Sequence, residues 1–150
     1  EMQRSLVGSE MCIRDRVKVN PIDFSNELHK ERFYELMKED KANPSDNERK
    51  ALFYIISGNE ELYIQRKKIY NFINHQIELE NYLEGKIMLS GGTSKMIYLG
   101  YHLYNGFSFK KIDANRINDD LSINDIFGGL DLENYPICIN AINIRFNRIK

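Results

Sequence analysis

The chain has 150 residues, enough for one hydrophobic core and too few for two. Apolar residues make up 42% and charged residues 29%, which excludes the low-hydropathy, high-charge regime of disordered chains. The formal charge of −1 gives no general attraction to nucleic acid or anionic lipid, and no run approaches the roughly 18 apolar residues of a membrane span.

Taken in chain order, residues 1–16 are expected to stand outside the domain. Ser5-Leu6-Val7-Gly8-Ser9-Glu10-Met11-Cys12-Ile13-Arg14-Asp15-Arg16 resembles a translated sequencing-adapter remnant, the alternative being a native flexible arm. A single helical domain then spans 17–150. Cys12 and Cys138 lie too far apart to suggest a disulfide framework or a metal motif. With no apolar leader centre, they lead to the expectation of a cytoplasmic protein.

Helical spacing dominates from there, and the predicted class is all-α: a compact irregular bundle of about five helices with a loop-rich segment before the last. The first helix is predicted over Ser25 to Lys41, with Leu28, Phe33, Leu36 and Met37 inward and Asn43-Pro44 as its stop. The second begins at Ser45, which forms a capping-box pattern with Glu48, and stops at Gly58. Its Ala51, Leu52, Phe53, Ile55 and Ile56 are apolar on most sides, marking the centre of the core. A third is predicted from the Asn59 cap to about Asn74, with Arg66-Lys67-Lys68 as a solvated face.

After an irregular link over 78–89, a fourth helix runs from about Ser94 to Asn105, with Met96, Leu99, Gly100 and Leu103 on one stripe. Gly106 is placed to end it in the left-handed region. Residues 110–120 read as a loop, and Ser122 with Asp125 forms a second capping-box pattern. The last helix follows Asp131, tolerates Pro136 in its first turn and is predicted to bury Tyr135, Ile139, Ile142 and Phe146.

Several segments together are similar to a known family. They are His29 with Arg32-Phe33, Glu48 to Ile56, Leu99 to Gly106, Asp125-Ile126-Phe127, and Ala141-Ile142-Asn143-Ile144-Arg145-Phe146. The chain resembles an uncharacterised family of small Firmicutes-type bacterial proteins, a domain of unknown function. The resemblance implies an accessory protein and no established ligand or catalytic residue. Ser90-Gly91-Gly92-Thr93 departs from the family pattern, in which a bulky aromatic precedes the Thr/Ser pair.

Two candidate sites follow from residue chemistry. Ser90, Gly91, Gly92, Thr93, Ser94 and Lys95 open a helix with free N–H groups, hydroxyls and an ammonium, an arrangement suited to an anion. The spacing is not that of a phosphate-binding loop, and an ordinary helix cap is the preferred reading. Tyr98, Tyr101 and Tyr104 recur every three residues and form either an interaction strip or core packing, with packing preferred.

No catalytic constellation, cofactor motif or metal-ligand spacing is evident. His29, His75 and His102 form no i,i+3 or i,i+4 pair with one another. His102 suits a bond to a neighbouring carbonyl at a helix end, and Cys138 reads as a buried apolar side chain. The acidic residues between Asp113 and Glu133 do not follow an EF-hand pattern and suit capping and solvation. Arg32, Arg49 and Arg145, set among apolar residues, are expected to pair with carboxylates such as Glu35 or Glu48, or to converge on an anion.

The preferred function is a non-enzymatic accessory protein acting through a protein partner or self-association, without a membrane. The alternative is a module for nucleic acid or a phosphate ligand, using Lys95, Arg66-Lys67-Lys68 and Lys110-Lys111. Nucleic acid is the less favoured partner on net charge.

Overall fold

A computed structural model describes residues 22–147 of the chain. The expectation for residues 1–16, Cys12 included, concerns residues outside that range. In chain order the elements are α1 (Glu27–Asp40), α2 (Asn47–Gly58), α3 (Glu60–Ile64), α4 (Arg66–Ile69), β1 (Tyr70–Asn71), β2 (Gln76–Ile77), α5 (Leu79–Leu83), α6 (Gly91–Asn105), α7 (Phe109–Ile112), a 3-10 turn (Ala114–Asp119), α8 (Ile123–Phe127) and α9 (Asn134–Arg145). The class is all-α, since the described strands are two residues each and pair antiparallel, Tyr70 with Ile77 and Asn71 with Gln76.

The helix predicted to be central is central. Every residue of α2 from Ala51 to Ser57 is buried, and α1, α6 and α9 pack around it. Each fully buried aliphatic or aromatic side chain there stabilises the fold by about 1.5–3 kcal/mol. The predicted α6 stripe of Met96, Leu99, Gly100 and Leu103 is buried as well. Gly100 lets α6 pass close to α2: a Cβ there would lie 3.0 Å from Leu52 Cδ1 and press on that methyl. Gly106 ends α6 at φ 75, as its type predicts.

Local choices depart from expectation where tertiary contacts decide. The first helix, predicted from about Ser25, starts at Glu27 with Asn26 as its cap, accepting from the His29 N–H at 2.8 Å. The buried stripe is His29, Phe33, Leu36 and Asp40, while Leu28 is exposed. The helix stops at Lys41 in the left-handed region, before Asn43-Pro44 is reached.

The predicted Ser45–Glu48 capping box is not formed. Asp46 caps α2, Ser45 binds the Asn43 side chain, and Glu48 is drawn away to Arg145. The predicted third helix breaks at Gln65, whose side chain clasps the Met88 backbone by donating to its oxygen at 2.7 Å and accepting from its nitrogen at 2.6 Å. Buried Tyr70 then requires extended chain, so a hairpin replaces the last predicted turns.

Residues 110–120 are not a plain loop, because Ser108 and Asp113 cap α7 and the 3-10 turn. The Ser122–Asp125 capping box forms as expected. In α9 the buried face is Ile137, Cys138, Ala141 and Ile144, leaving Tyr135 and Phe146 half exposed. The apolar residues surround this helix almost completely, so spacing alone did not select the face.

Candidate functional site

The two sequence-derived candidates are occupied by the protein itself. Ser90 caps α6, and Glu61 from α3 reaches across so that its Oε2 accepts from the Ser90 N–H at 2.7 Å and from the Thr93 hydroxyl at 2.9 Å. The helix start therefore already holds a carboxylate, and Thr93 is buried. Lys95 does not face this cap; its ammonium lies against Gly129, and its charge lowers the Asp125 pKa less than the bonds from Ser122 do.

The tyrosine strip is mostly core. Tyr98 is 3% exposed and bonds Asp120, while Tyr101 is fully buried and donates to the Ile69 carbonyl at 2.8 Å. Burial raises the pKa of both hydroxyls. Tyr104 is half buried, and its hydroxyl approaches the His75 carbonyl at 3.5 Å. The strip thus leads to the surface at one place, the β1–β2 hairpin.

That hairpin is held more firmly than its two-residue strands alone require. Asn71 turns it: the side-chain oxygen accepts from the Ile73 and Asn74 N–H groups at 2.9 and 2.8 Å, and the amide donates to Glu78. Phe72 stacks on Phe53 and meets Tyr70 edge-on. His75 adopts φ 58, uncommon for a residue with a Cβ. Its carbonyl accepts from Arg49 Nη2 at 3.2 Å, and its ring Nδ1 donates to Asp40 Oδ1 at 2.7 Å.

Asp40 is the anchor. Its side chain is 1% exposed at the end of α1, and its Oδ2 lies 3.1 Å from Arg49 Nε. That contact is ionic without being a hydrogen bond, since the single Nε proton is given to the Tyr70 hydroxyl at 2.9 Å. Arg49 Nη1 donates to Asp46, which also caps α2. The bond to Tyr70, outweighing burial, and the bond to Asp46 raise the Arg49 pKa further. Burial raises the Tyr70 hydroxyl, against the lowering bond from Arg49 and with the Asp40 charge adding to it. Two helix ends, a hairpin and a core tyrosine are therefore joined through one buried carboxylate.

The result is a fixed protrusion. Ile73 at its tip is 87% exposed. A hollow of about 280 Å³ lined by Glu39, Lys67, Tyr70, Asn71, Phe72 and Ile73 lies beside the tip. A second of about 290 Å³ is lined in part by Asp40, Arg49 and His75. The His75–Asp40 pair leaves Nε2 without a partner among the described residues.

The remaining sequence candidates are held by structural bonds. Arg32 pairs with Glu60, rather than Glu35, at 2.6 Å, and Arg145 with Glu48 at 3.4 Å. Arg32 and Arg66 each lie 4.2 Å from the Tyr63 ring centre, so Arg66 is not part of a simple solvated trio. His102 Nδ1 donates to the Phe107 carbonyl at 2.8 Å, the helix-end role its position suggested. Cys138 is a free, buried thiol with its pKa pushed up to about 12 by burial. Among the described residues no group of three or more His, Cys, Asp or Glu side chains is arranged to hold a metal ion.

Sequence spacing did not pick out Asp40 or His75, which lie 35 positions apart. The available signal was the turn-tolerant set Asn71, Asn74 and His75, inside what read as a helix end.

Fold and site together define an all-α domain bearing a braced surface hairpin. Residues 19–150 match the model described as "Family of unknown function (DUF6075)", and the chain belongs to that family. No curated protein and no solved structure matches the chain. No described helix is long and apolar enough to cross a membrane.

Proposed function

We propose that this is a non-enzymatic bacterial accessory protein that binds a protein partner, or a second copy of itself, through the β1–β2 hairpin. The observation that carries this reading is the exposure of Ile73 on a turn whose backbone is already fixed by Asn71, Arg49 and Asp40. An isolated exposed apolar residue is ordinary, but one on a preorganised turn beside a hollow costs little further ordering on association. The free Cys138 thiol supports a reducing, cytoplasmic setting.

Binding of nucleic acid or a phosphate ligand has less support. Glu61 already occupies the α6 start, and Lys111 lies against Gly106 at the other end of that helix. At about 1.5 Å per residue, Lys95 and Gly106 are roughly 16 Å apart along the axis.

The test compares proteins retained from a bacterial lysate by the full chain and by Ile73→Asp. Proteins retained by the first and lost by the second, with unchanged melting temperature, support the reading. Identical sets on both baits, together with an unchanged oligomeric state by size-exclusion chromatography, refute it.

A further inference from the structure

On the face of α1 that carries Phe33, Tyr34, Met37 and Lys38, a solvent-open cavity of about 440 Å³ is completed by Ile22, Ala42, Pro44 and Lys50. That volume lies within the range of small-molecule sites. Its walls are six residues with mainly apolar surface and two lysines, and among the described residues no Asp or Glu lines it. Phe33 at its base is 1% exposed, so the apolar floor is continuous with the core.

Lys50 is the unusual member. Asp46 caps the same turn but is committed to Arg49, and Lys50, half-buried as a residue, has no hydrogen-bond or ion-pair partner among the described residues. Burial alone lowers its pKa. A partly desolvated lysine without a counter-ion is an unfavourable arrangement that a bound anion relieves. Lys38, exposed at the rim, adds a second positive charge of the same sign.

We propose that this cavity binds a small amphipathic carboxylate, with its apolar body between Phe33, Tyr34 and Met37 and its carboxylate paired with the Lys50 ammonium. Apolar walls alone would accept any hydrophobic molecule of suitable size. The two lysines without carboxylates select among these by head-group charge, favouring an acid over an alcohol and excluding an amine.

The test uses the full chain with decanoate, decanol and decylamine as probes, each below its aggregation limit, followed by titration calorimetry and by NMR of the lysine side chains. Decanoate is expected to bind at least tenfold more tightly than decanol, with decylamine undetected. Binding is expected to raise the Lys50 titration midpoint. Lys50→Met should weaken decanoate at least tenfold while leaving decanol within threefold, and Ala42→Phe, which fills the cavity, should abolish both. Should Lys50→Met fail to fold, the Lys50 shift in the unaltered chain decides the matter. Absence of decanoate binding, equal binding of decylamine, or a Lys50 midpoint indifferent to decanoate overturns the proposal.

Discussion

Glu61 on α3 accepts a hydrogen bond from the Thr93 hydroxyl at 2.9 Å while also accepting the Ser90 N–H, so a carboxylate from elsewhere in the chain braces the Ser90-capped start of α6. Removing it uncovers the anion site that Ser90 to Lys95 suggested. Glu61→Ala is expected to lower stability by about 0.5–2 kcal/mol, the range for a lost helix cap. It should also gain a rise in melting temperature with phosphate that the unaltered chain lacks. Thermal melts of both proteins across a phosphate series check this, and equal phosphate responses would count against the self-capping account.

At position 75 the usual ranking of glycine and alanine is expected to invert. His75 sits at φ 58, where a Cβ costs about 1–2 kcal/mol. Both His75→Gly and His75→Ala remove the bond to Asp40, yet the glycine variant should be the more stable by about 1 kcal/mol in urea unfolding. A more stable alanine variant would mean that the left-handed turn is not maintained.

His29 links stability to pH. Its Nδ1 accepts the Ser25 N–H at 3.2 Å and its Nε2 donates to the Tyr54 carbonyl at 3.0 Å, so the bonded ring is neutral. Burial lowers its pKa from 6.5, against the smaller raising effect of the Tyr54 bond. The unfolded chain therefore binds a proton that the folded chain refuses, and stability falls as pH drops through about 6.5 toward the lower folded value. His29→Gln should flatten that part of the stability profile at the expense of overall stability; an unchanged slope in urea melts from pH 7.5 to 5 would contradict it.

Gly100→Ala tests the crossing of α2 and α6. Alanine gains about 1 kcal/mol of helix propensity, but its Cβ meets the fully buried Leu52 methyl at 3.0 Å, and overpacking costs about 1–3 kcal/mol. The sum is expected to be destabilising by up to 2 kcal/mol. Pairing it with Leu52→Val should recover part of the loss relative to Leu52→Val alone.

Cys138 should be chemically silent in the folded protein. With its thiol raised to about 12 and buried against the core, a Cys12→Ser chain at pH 8 is expected to react with a disulfide reagent only at its rate of opening. Immediate reaction of one thiol per chain without denaturant would show that α9 is not seated as described.

The sequence disclosed those features that depend on local chemistry or strong apolar content. Ala51 to Ile56 could only be core, Gly106 could only be a left-handed stop, and Ser122–Asp125 carried its own cap. It failed where a distant partner decided the outcome. Gln65 breaks a helix because Met88 arrives 23 residues later, and the Ser45 box does not form because Asp46 takes the cap while Glu48 pairs with Arg145, 97 residues later. The hairpin was hidden for the same reason: Asp40 and His75 acquire their roles only once α1, α2 and the turn are assembled. The tyrosine spacing was visible, but its burial depended on Asp120 and Ile69 receiving two of the hydroxyls.

The all-round burial of α2 also bears on how the polypeptide is made. Its Tyr54 hydroxyl accepts from Asn140, 86 positions onward, and α9 packs against α2 alongside α1 and α6. A ribosome adding about 5–20 residues per second needs roughly 4–17 s to go from the end of α2 to the end of α9. For that interval the Ala51–Ile56 stretch is present without its C-terminal cover.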